Sequence, residues 1–266
     1  MTPRRFIDGV AARLRFNLTD VRLLGFGFLK QRLWWIGGRR ECTVRLAGLG
    51  PITIRPRDTD LASFRDIFGK REYDFPIPAV EAAVRTRYES ILESGRIPVI
   101  LDAGAYVGAA SLWFRLEFPK AHIVAIEPDP DNFRLLERNL ADFGPATTIQ
   151  AAIGAEPGQV RLVASAGSWA TQVERSKAGV RVATANEAFR SVANGEPLLA
   201  KINIEGFEKE LFSASLEWLD QISMLFIEPH DWLLPRKRTS GSFQKALGER
   251  DFHIFIAGPF LCYARL

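Results

Sequence analysis

The residues most able to do chemistry in this chain fall at the ends of short apolar runs. LDAGAYVG, residues 101–108, places Asp102, Gly104 and Gly108 where a strand hands over to a helix. A glycine there lets the backbone pass close to a ligand, and a helix N-terminus offers free N–H groups to a polar ligand atom. Glu127 ends the next apolar run, HIVAIE. A carboxylate at that strand end can accept two hydrogen bonds from ribose hydroxyls. DxGxxxG lacks the third glycine of the dinucleotide fingerprint, which argues against a nicotinamide oxidoreductase. A second group lies further along. Glu205 follows KINI, and Glu228, His230 and Asp231 follow SMLFI. An imidazole with an ordinary pKa near ~6.5 can take a proton at neutral pH. His122 and His253 sit within strand-like runs and read as structural.

These groups need a scaffold that brings strand ends together. IPVILDAG, HIVAIEPD, TTIQAAIG, LLAKINIEG and SMLFIEP are short hydrophobic runs, the pattern of buried parallel strands. Apolar helical segments at 107–118 and 130–143 separate the first three. Residues 207–216 and 242–250 are read as further helices, and 252–258 with 259–266 as a terminal antiparallel pair. The fold class is therefore α/β. Between the third and fourth runs, QVRLVAS and GVRVATA read as strands flanking a polar loop or flap over 166–178. Trp169 in that loop offers a flat platform for a sugar or ring system. Upstream, 43–55 reads as a hairpin, 58–68 as a short helix and 79–94 as a longer one.

LDAGAYVGAASLWF, AIEPDPDNFRLLERNL, KINIEGFEKELF and LFIEPH, in this order, resemble the FkbM family of S-adenosylmethionine-dependent methyltransferases. DTDLASFRDIFGKREYD (58–74) resembles that family's lead-in. The resemblance implies a class I methyltransferase Rossmann-like fold: a mostly parallel seven-stranded sheet with helices on both faces and the last strand antiparallel. It implies S-adenosyl-L-methionine as cofactor and S-adenosyl-L-homocysteine as product. Asp102, Gly104 and Gly108 would line the methionine and ribose side, Glu127 would hold the ribose hydroxyls, and Ala151–Ala152 would lie near the adenine. Most of the family methylates hydroxyls of sugars, glycolipids and natural products. Methylation of nitrogen or carbon uses the same cofactor residues, and a cofactor-binding protein with weakened catalysis is a further reading.

Two departures stand out. Asn203 replaces the family's usual aspartate in KINIEG, and Asn186 replaces another after Thr184–Ala185. An amide donates as well as accepts and carries no charge. The candidate catalytic residues are then His230, as base, and Glu205. Asn203, Glu228, Trp169 and Asp231 are candidate contacts to the acceptor. Glu205, Glu228, His230 and Asp231 would suit a divalent metal, but without a carboxylate at 203 none is expected.

The formal net charge is only +4. The first forty residues are more basic and also aromatic, with Arg4, Arg5, Arg13 and Arg15 among Phe6, Phe16, Trp34 and Trp35. They read as an extension packed on the main domain, with peripheral membrane contact as the competing reading. No nucleic-acid motif accompanies the charge. The expected organisation is an N-terminal extension over 1–78 and a cofactor-binding domain over 79–266. No 18-residue apolar run, no signal-like segment and two distant cysteines point to the cytoplasm, with membrane association through the N-terminus as the variant. The expected partner is a small-molecule or glycan- or lipid-linked acceptor. Oligomeric state is not set by the sequence.

Overall fold

The computed structural model describes residues 37, 40–46, 48–163 and 171–266. The basic N-terminal stretch through residue 36 and Trp169 lie outside the described residues. The chain divides into two compact units between Arg57 and Asp58. In the first, β1 (Cys42–Leu46) and β2 (Gly50–Ile54) form the expected hairpin, with Cys42 opposite Ile54.

The second unit opens with α1 (Asp60–Phe64), which runs into a π-helical turn at Arg65–Gly69. Then come α2 (Pro78–Glu93), β3 (Ile97–Ala103), α3 (Ala109–Glu117), β4 (His122–Glu127), α4 (Pro130–Leu140) and β5 (Ala146–Gln150). β6 (Ala152–Gly154), β7 (Gly158–Val163), β8 (Gln172–Ser176) and β9 (Val180–Thr184) follow. The chain continues through α5 (Ala185–Arg190), β10 (Gly195–Ile202), α6 (Glu208–Leu211), β11 (Met224–Ile227), α7 (Gly241–Gly248), β12 (His253–Ala257) and β13 (Phe260–Ala264).

Seven strands make the main sheet in the order β12-β13-β11-β10-β3-β4-β5. β5, β4, β3, β10 and β11 pair in parallel, while β13 runs antiparallel to both β11 and β12. This is the seven-stranded order that the resemblance implied, with its last strand reversed. Parallel pairing puts the carboxyl ends of β3, β4, β10 and β11 on one edge, where open α/β sheets bind ligands. Val99, Leu101, Val124, Ala200 and Leu225 are buried on one face and Ile100, Ile123, Leu199 and Met224 on the other, so the sheet is covered on both faces.

Three expectations change. The run TTIQAAIG does not stay in one sheet: it breaks at Ala151, and β6 joins a second, four-stranded sheet of order β6-β9-β7-β8. Part of the expected flap is strand β8, paired antiparallel with β7. The helix read over 207–216 is a single turn, α6. It ends at Leu211, where the next residue, Phe212, leaves helical geometry at φ −93° and ψ 18°.

Residues 58–77 pack on this unit's core. The Tyr73 ring lies 5.2 Å from Phe114, 5.3 Å from Phe226 and 4.8 Å from Phe260.

Candidate active site

A cavity of about 360 Å³ opens at the carboxyl edge of the sheet, lined among others by Gly104, Glu127, Ala152, Asn203, Glu205 and Glu228. Five of these come from the ends of different strands. The lead-in segment adds Thr59, Asp66, Glu72 and Tyr73, and the glycine loop adds Tyr106.

Local backbone strain shapes the glycine loop. Gly104 has φ 75°, and a Cβ there would fall 1.7 Å from the Asn203 carbonyl oxygen. A glycine at 104 is therefore required by the backbone just past β10, in addition to its place in the cavity wall. Gly108, with φ 91°, does not line the cavity. It precedes α3 in a left-handed conformation, with Leu136 Cδ1 3.1 Å from where a Cβ would sit.

Asp102 also lies beneath the cavity and not in its wall. Its carboxylate is fully buried, accepts a 2.6 Å hydrogen bond from Ser111 Oγ and pairs with Lys201 Nζ at 3.1 Å. Lys201 in turn donates to the Gly104 carbonyl at 2.7 Å. The pair therefore braces the loop from below.

Glu127 is 4% exposed and faces the cavity. Its Oε2 accepts the Tyr106 N–H at 2.9 Å, and its Oε1 accepts the Asp129 N–H at 3.1 Å and Asn132 Nδ2 at 3.3 Å. An ionised carboxylate has about four lone-pair sites, so acceptor capacity remains toward the cavity. Burial pushes the Glu127 carboxyl up and its hydrogen bonds pull it back, leaving it at about 7. Hydroxyl donors bind the ionised form better, so affinity for a ribose-bearing ligand should weaken as pH falls through about 7. Glu127→Ala should weaken S-adenosylhomocysteine binding by roughly 1.5–3 kcal/mol at alkaline pH and flatten this pH dependence. Calorimetric titration on both sides of neutrality checks it; equal affinities for variant and wild type would remove Glu127 from the site.

The second carboxylate group gathers around His230. His230 does not line the cavity; it is 1% exposed, with Nδ1 2.8 Å from Glu208 Oε1 and Nε2 3.5 Å from Glu205 Oε2. Burial alone would lower its pKa, but the two paired carboxylates outweigh burial and raise it to about 10. Both its place outside the cavity wall and this upward shift speak against the expected base titrating near neutrality; the ring is held as the partner of two carboxylates. Glu205, 7% exposed, reaches the cavity from a strained turn, with φ 54° at Glu205 and 101° at Gly206.

Glu228 lines the same cavity and accepts a 2.8 Å hydrogen bond from Asn203 Nδ2. Burial raises its pKa; the His230 charge opposes this, and the Glu205 charge adds to it. Glu72 is raised as well, by burial first and then by Asp66. Asp231 turns away from the cavity. Its carboxylate accepts Thr239 Oγ1 at 3.1 Å and the Ser240 N–H at 3.3 Å, tying a loop closed. Among the described residues, no group of three or more His, Cys, Asp or Glu side chains is arranged to hold a metal ion.

Sequence reasoning missed Glu208, Glu72, Tyr73 and Tyr106. Tyr106 donates from its hydroxyl to Asp60 Oδ1 at 2.6 Å and lies 3.0 Å from Thr59 Oγ1, joining the glycine loop to the lead-in segment. Glu208 carried one signal, an acid in the first turn of a helix beside Glu205. The Tyr106 contacts are tertiary and left no local pattern.

A family model described as Methyltransferase FkbM domain matches residues 102–252. The chain is similar to Methyltransferase sdnD of Sordaria araneosa, with 48% identity over 44 residues, 16% of this chain and 17% of that protein. It is similar to Hexuronic acid methyltransferase AglP of Haloferax volcanii, with 25% identity over 147 residues, 53% of this chain and 59% of that protein. The chain thus spans less than two thirds of either curated relative. Among solved structures, Precorrin-6y C5,15-methyltransferase from Geobacter metallireducens aligns over 68% of this chain and 86% of that one, with 14% identity and a TM-score of 0.38.

Proposed function

The chain belongs to the FkbM family of S-adenosylmethionine-dependent methyltransferases, and from that premise we propose that it methylates a hydroxyl group of a sugar, glycolipid or other natural product, with Glu228 taking the hydroxyl proton. The observation that carries this reading is the shared cavity. Glu127 and Gly104 line it together with Glu228, Glu205 and Asn203.

S-adenosylmethionine supplies an electrophilic methyl group and its own leaving group. The protein has to hold the acceptor in line and remove its proton. Glu127 and the glycine loop are suited to fix the ribose, and Ala151 and Ala152 give the small, apolar surface that an adenine ring needs. Glu228 is the better base of the two cavity glutamates because burial raises its proton affinity toward the working pH. Asn203 Nδ2 holds its Oε2, which leaves Oε1 for the acceptor hydroxyl. Glu205, paired with the His230 cation, serves as a fixed hydrogen-bond acceptor beside it. Glu208 holds His230 from the other side, so the imidazolium positions Glu205 without touching the acceptor.

This arrangement gives a reason for the amide at 203. An aspartate there would face Glu228 carboxylate to carboxylate, and one of the two would have to keep a proton. Asn203→Asp should therefore move the acidic limb of the pH–rate profile to higher pH and lower turnover at neutrality. A steady-state pH series checks this; an unshifted limb would remove Asn203 from any role in setting the charge of Glu228. The reading as a whole is tested by incubating the protein with methyl-labelled cofactor and a panel of hydroxylated glycans and natural products. Label on a hydroxyl oxygen supports it, and label found solely on nitrogen or carbon favours the alternative acceptors.

A further inference from the structure

The loop that leaves β11 reads WLLPRKR over 232–238. Trp232 is 64% exposed, and Pro235, Arg236, Lys237 and Arg238 are exposed beside it. None of the three basic side chains is ion-paired among the described residues. Arg236 has φ 72° and Arg238 φ 52°, left-handed conformations that side-chain-bearing residues rarely adopt.

The base of the loop is tied down while its tip is bare. Asp231 clamps Thr239 and Ser240, and the N–H groups of Leu233 and Leu234 both donate to the His230 carbonyl at 3.1 Å. Leu234 packs onto Gly206, where a Cβ would come within 2.3 Å of its Cδ1. Trp232 meets the base through the His230 ring, 6.4 Å between centroids, yet stays largely exposed, and the base holds the strained basic turn outward.

We propose that this loop docks the protein on an anionic lipid surface, with Trp232 in the interfacial layer and Arg236, Lys237 and Arg238 on the headgroup phosphates. Indole rings favour the membrane–water interface, and adjacent cations are attracted by anionic lipid. The apolar tip argues for a bilayer over a nucleic acid, which would leave Trp232 without apolar surroundings unless bases were unstacked around it. The loop begins four residues after Glu228, so docking would bring an acceptor carried by the membrane toward the cavity edge. Binding itself needs no turnover, so it stands or falls apart from the methyl-transfer reading.

The test is flotation of the full chain with vesicles of phosphatidylcholine alone and of phosphatidylcholine mixed with phosphatidylglycerol. Wild type should float with the mixed vesicles only, and added salt should release it. Replacing Arg236, Lys237 and Arg238 together by Gln should lower partitioning by about fivefold per side chain, or about a hundredfold in all. Trp232→Ala should weaken it separately and abolish the part of the tryptophan quenching caused by lipids brominated on their acyl chains. Unchanged thermal midpoints and S-adenosylhomocysteine binding would show that both variants fold. The proposal is overturned if wild type ignores anionic vesicles, if both variants float as wild type does and so leave the basic N-terminal residues as the anchor, or if the loop substitutions abolish binding to RNA and spare binding to vesicles.

Discussion

Glu228→Gln is expected to cut turnover by about 10²- to 10⁴-fold, the range for loss of a general base, while S-adenosylhomocysteine affinity stays at the wild-type level. Glutamine keeps the size of the side chain and keeps an oxygen for Asn203 Nδ2, so the 2.8 Å contact and the cavity wall survive. What it loses is the ability to accept a proton. Wild-type activity should fall as pH drops through the raised pKa of Glu228, because the protonated carboxyl is no longer a base. The variant should lose that limb. Glu205→Gln, by contrast, should cost less, because the oxygen nearest His230 already answers a fixed cation at 3.5 Å. A Glu228→Gln enzyme turning over at the wild-type rate would leave alignment alone as the protein's contribution.

His230→Ala is expected to destabilise the fold by about 3–5 kcal/mol, the cost of breaking a buried ion pair and leaving its partner uncompensated. Two carboxylates depend on this one ring: Glu208 is fully buried and Glu205 is 7% exposed. Glu208 Oε2 and Glu205 Oε2 already lack a hydrogen-bond partner among the described residues. Removing the cation would leave both acids facing a cavity with nothing to balance them, and one would have to take up a proton. The pH signature is distinct. The imidazole pKa rises from 6.5 to about 10 on folding. Its contribution is therefore fully present below pH 6.5, declines as pH rises beyond that, and is gone above about 10. Urea melts at several pH values should show this alkaline loss in wild type and not in His230→Ala. A variant as stable as wild type, with the same pH slope, would mean that the three side chains do not form a charged unit.

The sheet was legible because the parallel strands β3, β4, β10 and β11 are short apolar runs that lead into an acid or a glycine, and those ends mark the ligand-binding edge. Glu127, Gly104, Asn203, Glu205 and Glu228 were placed by that logic, and all five line one cavity. What the sequence hid is tertiary. Glu208 meets His230 across 22 residues of chain separation, so nothing local announces that the ring is a cation. Asp231 looked free to reach an acceptor, yet the hydroxyls of Thr239 and Ser240 were close enough after folding to claim it. The lead-in segment was assigned to an extension because its role depends on Tyr73 and Tyr106 packing, which no periodicity records. The break at Ala151 follows from a sheet change that leaves the hydrophobic run uninterrupted.

The most direct test of the account is to find where the methyl group goes. Wild type and Glu228→Gln would be supplied with carbon-labelled S-adenosylmethionine and a hydroxylated acceptor identified from the panel, and the product read by NMR. The account predicts a methyl ether formed by wild type, and little or none formed by Glu228→Gln although the variant still binds S-adenosylhomocysteine. A methyl group on carbon or nitrogen, or a methyl ether formed equally fast without the Glu228 carboxylate, would contradict it.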